Sequence, residues 1–173
     1  MSAEQTAIVL VHGAWHGGWC WDRVVPLLEQ RGLAVRTVDL PSVGADPAAQ
    51  VGLFGDAAAV RSVLDEAAGP VLLCGHSYGG MVITQAAAEH PSVARLVYLC
   101  AFMPEVGDSL LGIVGEPGPP WLQVRDDGTM LPDLSQAADV FYGDCDRESQ
   151  ERATSLLRPM SAAAFTERVS GAA

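Results

Sequence analysis

The sequence predicts an α/β fold built on a parallel sheet of about four strands in the order 2-1-3-4, with helices on both faces. Three observations carry that expectation. Four short apolar runs rich in β-forming residues recur along the first hundred residues, amphipathic helical patterns lie between them, and a glycine-rich turn follows two of the runs. The expected strands are Ala7–Val11, Ala34–Leu40, Pro70–Cys74 and Val93–Phe102. Between the first two, Trp21, Val24, Val25 and Leu28 fall at i, i+3, i+4 and i+7, and Gly32 stops that helix. Pro26 must lie in its first turn or kink it. Between the second and third strands, Val60, Val63, Leu64 and Ala67 repeat the spacing. The third helix, from Gly79 to about Glu89, is apolar nearly all round and is expected to be buried, with His90-Pro91 ending it. Right-handed crossovers leave few ways to connect these units, and the order 2-1-3-4 puts the first and third strands side by side. Ligands bind at the carboxyl ends of strands at such a switch point.

After Phe102 the character changes. Residues 103–133 are rich in proline and glycine, and helical patterns return near 146–157 and 161–169. The expected organisation is a core over 1–102 and a cap insertion over 103–173 that lies across the sheet.

Composition narrows the function. With 173 residues, 49% hydrophobic and 18% charged, the chain is long enough for one domain with a real core. No apolar run reaches the roughly 18–20 residues that span a bilayer. The N-terminus lacks the basic region and cleavage site of a signal peptide, so a soluble, cytoplasmic protein without a membrane partner is expected. The net charge is −11, and all ten basic residues are arginines. Without lysine there is neither Schiff-base nor P-loop chemistry within these residues, and without a basic cluster there is no expected nucleic-acid partner. Eleven acids face two arginines between Glu105 and Glu151, which reads as a solvated surface. Cys20, Cys74, Cys100 and Cys145 form no C-x-x-C pair, so neither a disulfide framework nor a metal site is expected; Cys74 and Cys100 read as small core residues.

The chemistry concentrates in two turns. Gly75-His76-Ser77-Tyr78-Gly79 matches G-x-S-x-G, a weak pattern alone but here set between a buried strand and a helix. That setting is a nucleophile elbow, which lifts a serine hydroxyl above the sheet at a helix N-terminus. The competing reading is a glycine-rich turn with a capping serine. The second turn, His12-Gly13-Ala14-Trp15, follows the neighbouring strand. It can offer the Ala14 amide beside the Tyr78 amide as an oxyanion hole, or merely pack the switch point. Trp15, Trp19 and Trp21 read as packing residues, and Asp39 as a cap for the turn that follows it. Leu110, Leu111, Ile113, Val114 and Trp121 either line an apolar pocket or simply pack.

The segments VHGAWHGGWCW, VRTVDLPSVGAD, GHSYGGM and LVYLCAFMPEVGDSL together resemble the α/β-hydrolase superfamily, nearest the branch of plant-type methyl-ester esterases and hydroxynitrile lyases with their bacterial relatives. The resemblance covers nearly all of the chain. It implies Ser77 as nucleophile, Ala14 and Tyr78 as oxyanion donors, a supporting loop of His12, Gly13, Gly75, His76 and Gly79, no metal or organic cofactor, and a small-molecule ester as substrate.

In that family an acid and then a histidine follow the serine in chain order. Here every histidine is at or before His90, itself about 20 Å along the helix from Ser77 at 1.5 Å per residue. His12 or His16 as base, and Glu105 as acid, remain as local alternatives. The fourth apolar run, with Arg95 as its one charge, reads as a strand buried on both faces and paired on both sides. A chain truncated before its next strand is therefore expected. The alternative functions are a non-catalytic fragment, a ligand-binding pseudo-hydrolase, or cyanohydrin cleavage, which in this branch uses a lysine.

Overall fold

A computed structural model describes residues 7–44 and 46–171. Strand β1 (Ala7–Val11) is paired on both sides, with β2 (Ala34–Val38) on one and β3 (Val71–Ser77) on the other. Strand β4 (Val93–Ala101) pairs beyond β3, so the sheet is wholly parallel in the order β2-β1-β3-β4. Val11 sits opposite both Val38 and Gly75, which brings the carboxyl ends of the three strands to one level.

Side chains alternate along β1 as a pleated strand requires. Val9 and Val11 enter the main core with Leu73, Leu53, Val60, Leu64, Met81 and Ile83. Ile8 and Leu10 turn to the opposite face, where they meet Trp21 and Cys74. Helices α2 (Leu53–Asp65) and α3 (Gly79–Ala87) supply the main core. In α3 every described position except Gln85 is buried, as its all-round apolarity predicts.

Three expectations need correction. The first helix is not continuous: a 3₁₀ turn at Gly18–Trp21 is followed by the separate five-residue α1 (Val25–Glu29), with Pro26 in its first turn. Proline has no N–H and its ring crowds the carbonyl four residues back, so one helix cannot run through Trp21 to Leu28, and Val24 is left exposed. Strand β4 is not buried on both faces; Val97 and Leu99, two apart and so on one face, are 42% and 46% exposed, and among the described residues no strand pairs its outer edge. Cys100 is not a core residue. The β3–β4 register slips between His76 and Ser77, and Cys100 occupies the bulge, exposed and at φ +44°.

Beyond β4 the chain forms α4 (Leu110–Val114), β5 (Leu122–Val124), β6 (Thr129–Pro132), α5 (Ala137–Tyr142), α6 (Arg147–Leu156), β7 (Met160–Ser161) and α7 (Ala163–Thr166). Helix α6 meets the expectation near 146–157, while only four residues of the expected 161–169 helix form. The antiparallel sheet β5-β6-β7 was hidden by its brevity in a proline- and glycine-rich stretch. Among the described residues no helix is long and apolar enough to cross a membrane.

This segment is tied to the sheet end by main-chain bonds: Arg158 N–H donates to the Trp15 carbonyl (3.0 Å) and Ser161 N–H to the Ser42 carbonyl (2.9 Å). A side-chain tie comes from Glu167. Helix α2 begins after Gly52, which has no side chain to cap it, and Glu167 supplies the missing acceptor to the Phe54 N–H at 3.0 Å. A Cβ on Gly52 would lie 2.4 Å from that carboxyl carbon, so the glycine makes room for the substitute cap. Glu167→Ala should therefore lower stability by about 1 kcal/mol, a fall in Tm of about 2–4 °C, with faster amide exchange at Phe54 and little change in β1.

Candidate active site

The site is made by two backbones that approach too closely for side chains. A Cβ on Gly75 would stand 2.5 Å from the Gly79 carbonyl oxygen, and one on Gly79 would stand 2.7 Å from the Val11 oxygen and 2.8 Å from that of His12. These neighbours are main chain and cannot rotate aside. The turn between β3 and α3 is thereby pressed against the end of β1. At its apex Ser77 adopts φ +52°, a left-handed conformation that a serine holds only when its surroundings impose it. Ser77 is partly exposed, unlike the buried Tyr78 that follows it.

The His12–Trp15 turn abuts this apex. A Cβ on Gly13 would come within 2.9 Å of the Ser77 Cβ and 3.3 Å of the His76 carbonyl. Ala14, Ser77 and Tyr78 all line one cavity of about 540 Å³. Most of its other walls are apolar, formed by Trp15, Phe102, Trp121, Phe141 and Phe165 together with Leu110, Leu111 and Val114, with Glu116 and Thr166 as the charged and polar exceptions. Of the five residues expected to line or pack, four do line it. Ile113 does not, and stands 41% exposed.

Neither alternative histidine is free to take a proton. His12 is fully buried, and its Nε2 accepts from the Leu40 N–H at 3.0 Å, so Nδ1 carries the proton and donates to the Gly13 carbonyl at 2.8 Å. His16 donates from Nδ1 to the Ala14 carbonyl (2.7 Å) and accepts from the Tyr142 hydroxyl at Nε2 (2.6 Å). Burial keeps His16 neutral by lowering its pKa to about 4, and lowers that of His12 for the same reason. Both rings thus shape the turn carrying Ala14. His76 packs edge-on to Trp21, and burial lowers its pKa too. His90 binds Asp65 at the opposite end of α3. Glu105 is exposed and absent from the cavity wall. Asp39 does not cap the turn after it; it accepts from the Gly18 N–H (2.7 Å) in the turn that follows β1.

A family model described as the alpha/beta hydrolase family matches residues 8–172. The chain belongs to the alpha/beta hydrolase family. Among its relatives, a carbendazim hydrolyzing esterase from Nocardioides sp. (strain SG-4G) is 40% identical over 121 residues, covering 65% of this chain and 48% of the relative. A pyrethroid hydrolase from Sphingobium wenxiniae is 35% identical over 177 residues, covering 92% of this chain and 63% of that enzyme. The crystal structure of the methylesterase protein MES16 from Arabidopsis superposes with a TM-score of 0.76 at 27% identity, covering 94% of this chain and 70% of that one. The chain thus spans about half to two thirds of the length of the two curated relatives.

One feature of this chain was not anticipated from its sequence. Asp56, in the first turns of α2, is fully buried. Its Oδ1 accepts from the Ser42 N–H (2.8 Å), and its Oδ2 accepts from the Ser42 hydroxyl (2.6 Å) and the Tyr78 hydroxyl (2.8 Å). The signal was present: Leu53, Asp56, Ala57, Val60 and Leu64 form one apolar stripe of α2, and the carboxylate sits inside it. Among the described residues no arginine pairs with it.

Burial raises the Asp56 pKa to about 6, against the hydrogen bonds that favour its charged form. The folded state therefore holds this proton more tightly than the unfolded chain. Any stability so gained is full below about pH 4, is lost as pH rises towards 6, and stays lost above it. Subtracting the wild-type melt from that of Asp56→Asn cancels the other carboxylates. That difference should grow in favour of Asn across pH 4–6 by an amount on the order of 2 kcal/mol, then level off.

Proposed function

We propose that this chain carries the nucleophile and oxyanion machinery of a serine esterase acting on small, apolar carboxylic esters. The observation that carries this reading is the contact of the two turns, which sets the Ser77 side chain against Gly13 at the mouth of an apolar cavity. Ser77 Oγ would attack the ester carbonyl carbon as its own proton passes to solvent. The carbonyl oxygen would take up the negative charge between the Ala14 and Tyr78 amides. Collapse of the adduct expels the alkoxide, which takes a proton from water to become the alcohol, and leaves an acyl-serine that a second water cleaves to the free acid and serine. The start of α3 lies directly behind the serine, and its dipole favours the developing charge. The relatives named as esterases and hydrolases support the class of reaction.

Within this reading residues 1–102 are the core and 103–173 a cap whose Trp121, Phe141 and Phe165 close over the bound ester. No cofactor enters the scheme, and neither His12 nor His16 serves as general base. A second reading, a ligand-binding relative without turnover, is favoured by that same engagement of both rings.

A fluorophosphonate probe with p-nitrophenyl acetate separates the two. Slow labelling is expected, abolished by Ser77→Ala, with ester turnover at least about 10³-fold below that of an esterase with a complete triad. Labelling that survives Ser77→Ala would overturn the assignment of the nucleophile. A folded chain that binds apolar esters, judged by quenching of Trp15 and Trp121, yet never labels would establish the second reading.

A further inference from the structure

We propose that Asp56 is a positioning residue for the oxyanion hole, acting through the Tyr78 hydroxyl on the peptide that joins Ser77 to Tyr78. The proposal rests on the esterase reading for its purpose and on the hydrogen-bond geometry for its substance. The N–H offered by Tyr78 belongs to the same peptide plane as the Ser77 carbonyl. That carbonyl accepts from the Phe102 N–H at 3.1 Å, which holds one side of the plane to the strand end of β4. The other side continues into Tyr78, whose hydroxyl is fixed by Asp56 and whose ring lies nearly parallel to that of Phe165, 6.5 Å away at 14°. The peptide is thus held from both directions.

Packing alone does not call for a carboxylate here. A buried carboxylate without a cation is costly, and a leucine or methionine in the same stripe of α2 would pack without that cost. What an apolar residue cannot do is grip a hydroxyl and a main-chain N–H at once. Asp56 joins Ser42, in the loop after β2, to Tyr78, in the turn after β3, across the level at which the sheet ends. Ser42 in turn accepts from Ser161 of β7, so the grip reaches the segment that covers the cavity. Glu167 is the charged neighbour of Asp56, and Tyr78 and Ser42 are its polar ones. Its pKa, raised by burial to about 6, places the change of charge near pH 6, where it would alter how the Tyr78 hydroxyl is held.

The test compares wild type with Asp56→Ala, Asp56→Asn and Tyr78→Phe, reading two quantities. The first is the second-order rate of phosphonylation of Ser77 by a fluorophosphonate, in which an O–P bond forms at Oγ, fluoride leaves and the serine proton passes to solvent. The second is the exchange of the Tyr78 amide relative to that of Ile83 in α3. Asp56→Ala and Tyr78→Phe should each slow labelling about 10- to 100-fold at unchanged reversible affinity for the probe, and speed Tyr78 exchange at least tenfold beyond any change at Ile83. Asp56→Asn should restore labelling to within about threefold and remove an inflection near pH 6 from the wild-type profile. A folded Asp56→Ala or Tyr78→Phe that labels at the wild-type rate overturns the proposal. If Asp56→Ala does not fold, Tyr78→Phe, which keeps the carboxylate, decides in the same way. If wild type itself never labels, the esterase reading fails and the exchange ratio decides alone: Tyr78 and Ile83 changing in step would refute a local grip.

Discussion

Everything at the functional end of this protein depends on one close approach, that of the Gly79 backbone to the carbonyls of Val11 and His12. Strands β1 and β3 are neighbours because the chain crosses over between β2 and β3, and the level ending of the sheet brings their following turns together. Contact between two main chains admits no Cβ, so glycine at 75 and 79 is a requirement of packing before it is one of chemistry. Once the contact is made, Ser77 has nowhere to go but the left-handed conformation at the apex. Strain in the serine and its partial exposure are two consequences of one constraint.

That constraint explains which parts of the molecule were legible in the sequence. The strand order followed from alternating apolar runs and handedness, since buried parallel strands must be written in apolar residues. The elbow followed from the spacing of Gly75, Ser77 and Gly79 against a strand. What stayed hidden has physical reasons too. Cys100 looked like core because it stands in an apolar run, but a one-residue bulge turned it outward, and bulges leave no mark on hydropathy. Strands β5 to β7 have two to four residues each and hold their place by tertiary bonds, not by a pattern. Asp56 was visible as a charge in an apolar stripe, yet its partner Tyr78 is 22 positions away, beyond the reach of periodicity.

The histidines show how the same residue type serves opposite ends. An imidazole acts as a base only if one nitrogen faces the proton it will take. His12 and His16 each donate from Nδ1 to a carbonyl of the Gly13–Ala14 turn and accept at Nε2 from elsewhere, which makes them struts of that turn. Their lowered pKa values fit that role, because a strut that gained a proton at Nε2 would lose its acceptor and release either Leu40 or Tyr142.

The cavity inherits its shape from ties of this kind. Trp15, at φ +64°, donates its indole N–H to the Met130 carbonyl (3.0 Å) and its own carbonyl accepts from Arg158, so one residue of the His12–Trp15 turn is clamped by the covering segment at both ends. Its ring meets Trp121, Phe141 and Phe165 within 6 Å. Movement of the cavity roof is therefore transmitted to the main chain one residue from Ala14. The walls of the cavity and the turn after β1 are then set together, because Trp15 belongs to both.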